Sequence, residues 1–149
     1  MSTPNATAAF PWKDNYKLGY NKMDDTHRDF VDKVNALLMA DDDALLARLD
    51  DFVGHADAHF GEEKQWMLST DFPAAQCHID EHEAVMKSVH EVRALLLAGE
   101  EARRFAVTRS LAQELMNWFP GHADYLDSAL AQWMVKRLYG GAPIVFGKG

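Results

Sequence analysis

The sequence predicts an all-α fold, an up-down-up-down four-helix bundle with an extended N-terminal arm. In four segments the apolar residues recur every three or four positions, which is the spacing of an amphipathic helix. The connections between these segments are short, which favours antiparallel neighbours. No stretch alternates apolar and polar residues with a period of two, so no strand is predicted. We expect a single domain over residues 1–149, comprising an arm (1–22), the bundle, and an apolar tail (140–149) that folds back over it.

The arm and the first two helices come first in the chain. Residues 1–22 contain Pro4, Pro11 and Gly19 and show no helical period. From Asp24 onward the apolar residues fall on one stripe, which ends at the acidic cluster 41–43. A second stripe begins at residue 45 and stops before Ser69, Thr70 and Asp71.

The third and fourth helices are bounded by proline and glycine. Pro73 lies two residues after Asp71, a possible N-cap, and proline is well tolerated in the first turn of a helix. We therefore expect the third helix to begin at Pro73 and to end at Gly99. The fourth helix is predicted from Glu101 to Leu138, where the glycine pair 140–141 closes it.

Composition and charge narrow the functional classes. The 149 residues are 48% hydrophobic and 26% charged, which is typical of a globular protein rather than a disordered one. A net charge of −8 argues against nonspecific binding to nucleic acid or anionic lipid. No segment approaches the length of a membrane span, and the N-terminus lacks the features of a signal peptide. These observations, with a lone cysteine that cannot form an internal disulfide, favour a cytoplasmic protein.

Histidines lie in the apolar register of every predicted helix. The helical repeat turns five of them inward, and Glu63 lies one turn from one of these; the five are His27, His59, His78, His82 and His122. A lone inward histidine is usually a hydrogen-bonded core residue, and a lone His-x-x-x-His pair arises easily by chance. Five that converge on one interior, together with a carboxylate, would leave many buried polar atoms unpaired. The pattern therefore favours a metal centre between the helices.

Three other residues that could bind metal fall outside this register. His55 lies on the flank of the second stripe, and His90 lies about 80° around the third helix from His82, by the helical repeat. We expect neither to be a ligand. Cys77 adjoins His78 but is expected to point off the metal face, as an inert buried thiol rather than a redox switch.

The donor set indicates which metals fit. A zinc site is usually satisfied by four ligands, whereas at least six candidates are present, which suggests two ions. Ferritin-like di-iron proteins use Glu-x-x-His, but no histidine here follows a glutamate at that spacing. A site rich in histidine and poor in carboxylate favours a stable reduced metal over strongly oxidised states.

The ordered set of candidate ligands matches a known family. It reads His, His-x3-Glu, His-x3-His and His-x4-Asp, at His27, His59 and Glu63, His78 and His82, and His122 and Asp127. Further matching residues are Trp12, Gly19, Met67, Phe72, Pro73 and Trp118. By these residues the chain resembles the hemerythrin family, specifically its single-domain bacterial type, across nearly its whole length.

The resemblance implies a non-haem di-iron centre that binds O2 reversibly. His78, His82 and His122 would then hold one iron, and His27 and His59 the second. Glu63 and Asp127 would bridge the two irons together with a solvent-derived oxo or hydroxo group. The second iron keeps an open position for O2.

Asp127 is the ligand that periodicity alone would not select. Five residues after His122, it lies about 140° around an ideal helix, so the bridge requires a local widening such as a π-bulge, or a bend. Pro120 removes the hydrogen bond to Met116 and is expected to kink the helix just before these ligands. The alternative is that the helix starts anew at Pro120. The pair Pro120 and Gly121 is a departure from the family pattern, because the family usually has an unbroken helix here.

Two neighbouring residues also depart from the family pattern. Phe119 and Ala123 occupy positions where the family commonly has larger aliphatic side chains. We expect them to line a reshaped O2 pocket with residues of the first two helices. Trp118, one turn before His122, fits equally well as a packing residue or as a partner of the ligands.

The resemblance implies an O2-binding protein, used for storage, delivery or sensing, rather than an enzyme. Its expected partner is O2, and a protein recipient of the O2 is not identified. Two alternatives remain open. The di-iron core could act on peroxide or nitric oxide, or the chain could be an iron or oxygen sensor that signals through a separate protein.

Overall fold

The computed structural model describes residues 10–138, so the predicted C-terminal tail and the closing glycine pair lie outside the described residues. Within that range the helices are α1 (Asn21–Met39), α2 (Leu45–Ser69), α3 (Ala75–Ala98), α4 (Glu101–His122) and α5 (Ser128–Leu138). A π-helical segment, Ala123–Asp127, joins α4 to α5, so that the three form one continuous rod.

The helices pack as a four-membered ring. α1 contacts α2, α2 contacts α3, α3 contacts α4, and α4 closes the ring against α1. No strand occurs between residues 10 and 138. The predicted all-α four-helix bundle is confirmed.

The core consists of two apolar clusters with a polar layer between them. One cluster includes Phe30, Phe52 and Phe119, and the other, toward the opposite end of the bundle, includes Met23 and Met67. In α1, His27 lies between Met23 of one cluster and Phe30 of the other, and in α2, Glu63 lies between Phe60 and Met67. The apolar clusters therefore hold the polar layer away from both ends of the bundle.

The first helix begins three residues earlier than the sequence predicted. The carboxylate of Asp24 accepts hydrogen bonds from the backbone N–H groups of Leu18, at 2.7 Å, and Gly19, at 3.1 Å. Gly19 has a φ of 90°, a conformation that only glycine adopts readily. Asp24 therefore ties the end of the arm to the first turn of α1, which begins at Asn21.

Asp71 ends α2 and does not cap α3, so the predicted start of α3 at Pro73 is wrong. Asp71 adopts a φ of 56°, and the N–H of Phe72 donates to the carbonyl of Met67 at 2.9 Å. This is the Schellman arrangement of a helix C-terminus. Pro73 lies in the turn that follows, and α3 begins at Ala75 without a side-chain cap. The prediction that α3 ends at Gly99 is confirmed.

The π-helical segment confirms the widening that Asp127 was predicted to need. The N–H of Ser128 donates to the carbonyl of Ala123, five residues back, rather than to the residue four back. α4 continues through Pro120 as far as His122, so the alternative of a new helix starting at Pro120 is wrong.

The described part of the arm lies against the bundle. Phe10 is 2% exposed, and the backbone N–H of this residue donates to Asn35 Oδ1 at 2.7 Å. The Asn35 amide in turn donates to the Phe10 carbonyl. A 3-10 turn, Asp14–Tyr16, then places Tyr16 against Phe119, with ring centroids 5.3 Å apart.

Between residues 10 and 138, no helix is both long enough and apolar enough to cross a bilayer.

Candidate metal centre

All seven predicted metal ligands lie in the buried polar layer. Each is at most 5% exposed, and every rod of the bundle contributes at least one; they are His27, His59, Glu63, His78, His82, His122 and Asp127. Charged and polar side chains are rarely buried in such number unless they pair or bind a metal.

The donor atoms fall into two groups that share Glu63. One group contains Glu63, His78, His82, His122 and Asp127, and the other contains His27, His59 and Glu63. Within each group one donor atom per residue lies within 4.8 Å of all the others. The structure thus divides the histidines three and two.

Glu63 faces both groups with different oxygens. Its Oε2 lies 2.9 Å from His59 Nε2 and 3.6 Å from His27 Nε2. Its Oε1 lies 3.4 Å from His78 Nε2 and 3.5 Å from His82 Nε2. A carboxylate in this position can donate one oxygen to each of two metal ions.

Asp127 repeats this arrangement from the other side of the layer. Its Oδ1 lies 3.0 Å from His78 Nε2 and 3.1 Å from His122 Nε2, and its Oδ2 lies 3.0 Å from His27 Nε2. The π-helical segment makes this possible, because it returns Asp127 to the side of the rod that carries His122.

Several of the central atoms lie close to one another but are not aligned for a hydrogen bond with any described residue. They are Nε2 of His27, Nε2 of His78, Oε1 of Glu63 and Oδ1 of Asp127. Buried polar atoms are normally hydrogen-bonded, so convergent unpaired donors are unusual. Imidazole nitrogens and carboxylate oxygens that point at common centres fit a pair of metal ions.

The carboxylates control the protonation of the metal-free cluster. Burial opposes the charge on His27, but the close contacts and negative charges of Asp127 and Glu63 outweigh it and raise the pKa of His27 to about 10. The same balance raises the pKa of His78 to about 9. Burial alone would favour protonated carboxyl groups, yet the histidines hold the pKa of both Glu63 and Asp127 well below the usual range. Metal uptake must therefore displace protons from His27 and His78.

Aromatic rings cover the cluster on several sides. Phe60 stacks on His82 with ring centroids 3.8 Å apart, and Trp118 stacks on His122 at 4.2 Å. The edge of Phe119 meets His27 at 5.4 Å. These contacts shield the donor atoms from bulk water.

Of the two residues predicted to line an O2 pocket, Phe119 lies beside the second group, and Ala123 lies one helical turn further along the chain. Phe119 and Ala123 are both buried, at 1% and 2% exposure. Phe119 contacts His27, which belongs to the group with fewer histidines. Their role toward O2 stays a prediction.

The residues expected to be outside the cluster lie outside it. His55 is half-buried and belongs to neither group, although its ring lies 5.4 Å from that of His59. His90 is exposed. Cys77 points off the metal face as predicted, but it is exposed, so the prediction of a buried thiol is wrong. Its position on α3 turns it to solvent rather than toward a neighbouring helix.

The sequence interpretation missed Glu81. Its Oε1 accepts hydrogen bonds from His122 Nδ1, at 2.6 Å, and from Trp118 Nε1, at 3.2 Å. Trp118 is thus both a packing residue and a polar partner of the cluster. The helical repeat places Glu81 only about 60° from His78, a signal that could have marked it.

Comparison with known proteins agrees with this geometry. Residues 18–134 match the family model described as the hemerythrin HHE cation binding domain. A relative named Bacteriohemerythrin, from Ralstonia nicotianae, is 34% identical over 126 residues, or 85% of this chain and 89% of that protein. Another of that name, from Stenotrophomonas maltophilia, is 27% identical over 83% of this chain and 80% of its own length. The chain belongs to the hemerythrin HHE cation binding domain family.

Proposed function

We propose that the protein holds two iron ions in the buried polar layer and binds O2 reversibly at one of them. His78, His82 and His122 would hold the first iron, His27 and His59 would hold the second, and Glu63 and Asp127 would each supply one oxygen to either ion.

The observation that carries this proposal is the division of each carboxylate between the two histidine groups. Glu63 directs Oε2 toward His59 and Oε1 toward His78 and His82. Asp127 directs Oδ2 toward His27 and Oδ1 toward His78 and His122. Two bridging carboxylates between unequal sets of histidines suit a pair of ions better than one ion.

The unequal division of histidines gives the two ions different roles. The first ion has five donors from the chain, and the second has four. If the two ions shared one solvent ligand, the first would have six donors and the second five, which would leave the second able to take up O2. A metal held by two histidines and carboxylate with an open position is the arrangement that non-haem iron uses toward O2.

The surroundings of the second group favour binding over catalysis. The ring of Phe119 meets His27 and has no proton to donate to a bound molecule. Two relatives that match most of this chain carry the name Bacteriohemerythrin, which supports oxygen binding. Storage, delivery and sensing are all compatible with such a site, and action on peroxide or nitric oxide is the second candidate.

Iron content tests the ligand assignment. His82→Ala removes a buried donor of the first group, whereas His90→Ala removes an exposed histidine from the same helix. We expect wild type and His90→Ala to hold two irons per chain, and His82→Ala to lose at least half of this iron. Equal iron in all three proteins would refute the assignment.

A further inference from the structure

Glu81 connects the candidate metal centre to the surface between α3 and α4. Its side chain is 41% exposed and lines a groove of about 340 Å³ together with Leu115 and Trp118. Its Oε1 faces inward, where it accepts the Nδ1–H of His122 at 2.6 Å. A half-exposed carboxylate is thus hydrogen-bonded directly to a buried candidate ligand.

We propose that Glu81 is a positioning residue for the metal centre, which holds His122 with its Nε2 lone pair directed at the first ion. This inference rests on the proposed metal site. In this role Glu81 contacts neither the metal nor O2.

The hydrogen bond fixes the tautomer of His122. A neutral imidazole carries one proton, and a carboxylate acceptor at Nδ1 keeps that proton there. Nε2 is then free to donate its lone pair, and it lies 3.0 Å from His82 Nε2 and 3.1 Å from Asp127 Oδ1. These are the atoms with which it would share an ion.

Trp118 keeps Glu81 in place despite its exposure. The indole N–H donates to the same Oε1 at 3.2 Å, and the indole ring stacks on His122 with centroids 4.2 Å apart and planes 26° from parallel. The carboxylate is therefore held by two donors, and the imidazole is held by the ring above it and by the carboxylate beside it.

Three of the other four candidate histidine ligands lack such support from the described residues. Nδ1 of His27, of His59 and of His78 has no hydrogen-bond partner among them. His122 is thus held by a polar contact on the ring nitrogen that faces away from the cluster centre, whereas that nitrogen has no such contact in these three. Loss of a carboxylate partner of a metal-bound histidine typically weakens metal binding by about 10–100-fold.

The test compares four proteins by their affinity for Co²⁺, added to metal-free protein, with the visible absorption of the bound ion as a second readout. Glu81→Ala removes the acceptor, and Glu81→Gln keeps an uncharged one. Glu114→Gln changes an exposed carboxylate that lines the same groove and serves as the control. We expect Glu114→Gln to match wild type, Glu81→Ala to bind Co²⁺ about 10–100-fold more weakly, and Glu81→Gln to fall between them.

A nitrogen NMR measurement on the metal-free proteins separates positioning from general stability. We expect the His122 proton at Nδ1 in wild type and its shift toward Nε2, which lies 3.1 Å from Asp127 Oδ1, in Glu81→Ala. A Co²⁺ affinity of Glu81→Ala within twofold of the control, or an unchanged His122 tautomer, would overturn the role of Glu81 but leave the proposed metal site intact. Failure of wild type to bind Co²⁺ would instead overturn the proposed metal site.

Discussion

Phe119 offers a demanding test of how the bundle protects its centre. Its ring is 1% exposed and contacts four others: Phe30 at 5.2 Å, Tyr16 at 5.3 Å, His27 at 5.4 Å and Phe10 at 5.8 Å. Truncation of a buried phenylalanine to alanine costs about 3–5 kcal/mol. Aromatic pairs add about 0.5–1.5 kcal/mol each beyond their burial, so we expect Phe119→Ala to lie in the upper half of that range.

The same substitution should change the chemistry of the iron-loaded protein. The space left by the ring adjoins His27, whose polar atoms can hold water there. We expect faster autoxidation of the oxygenated protein, because water gains access to the second iron. Urea unfolding measures the loss of stability, and the decay of the oxygenated absorption band measures autoxidation.

Phe52→Ala is the matched control. Phe52 is also fully buried and packs on Phe30 at 5.5 Å, but it lies in α2 two turns before His59. It should lose similar stability with a smaller effect on autoxidation. Autoxidation of Phe119→Ala within twofold of that of Phe52→Ala, or a stability loss below about 1 kcal/mol, would refute the reasoning.

Two further predictions concern the metal-free cluster and the O2 pocket. The pKa of His27, about 10, and that of His78, about 9, both lie above the pKa of an unfolded histidine. Protonation of these two side chains therefore adds its full share to the free energy of unfolding below pH 6.5, and this share is lost as the pH rises through 9 to 10. The urea midpoint of the metal-free protein should therefore fall between pH 7 and pH 10, and a midpoint that rises would contradict these pKa values. Ala123→Leu enlarges a buried side chain one turn after Phe119 and should change the autoxidation rate, whereas a rate equal to that of wild type would count against a pocket at Ala123.

Helical periodicity was sufficient to predict the bundle and the inward histidines. The recurrence of apolar residues every three or four positions places His59 and Glu63 on the same stripe as Phe52 and Met67. All four are buried in the structure. The same rule separated His55 and His90 from the cluster. Burial of a polar residue in an apolar register is an informative signal because it is costly without a partner.

Other features depend on interactions that periodicity does not represent. Asp127 required the family resemblance, since an ideal helix turns it away from His122 and only the π-helical segment returns it. Asp71 has the composition of an N-cap but ends α2, because its left-handed backbone completes the Schellman hydrogen bonds. In the sequence Glu81 resembles any charged residue on a helix surface. Its role depends on a hydrogen bond with His122, 41 residues away, which periodicity within α3 cannot represent.

The proposed function depends most directly on whether O2 binds reversibly at two irons. The decisive measurement is the absorption spectrum of the reduced, iron-loaded protein while the solution is cycled between nitrogen and air. We predict a charge-transfer band that appears with O2, disappears when O2 is removed and returns on each cycle, at one O2 per pair of irons. Irreversible oxidation within the first cycle, together with turnover of added peroxide, would contradict reversible O2 binding and favour a di-iron enzyme that acts on peroxide.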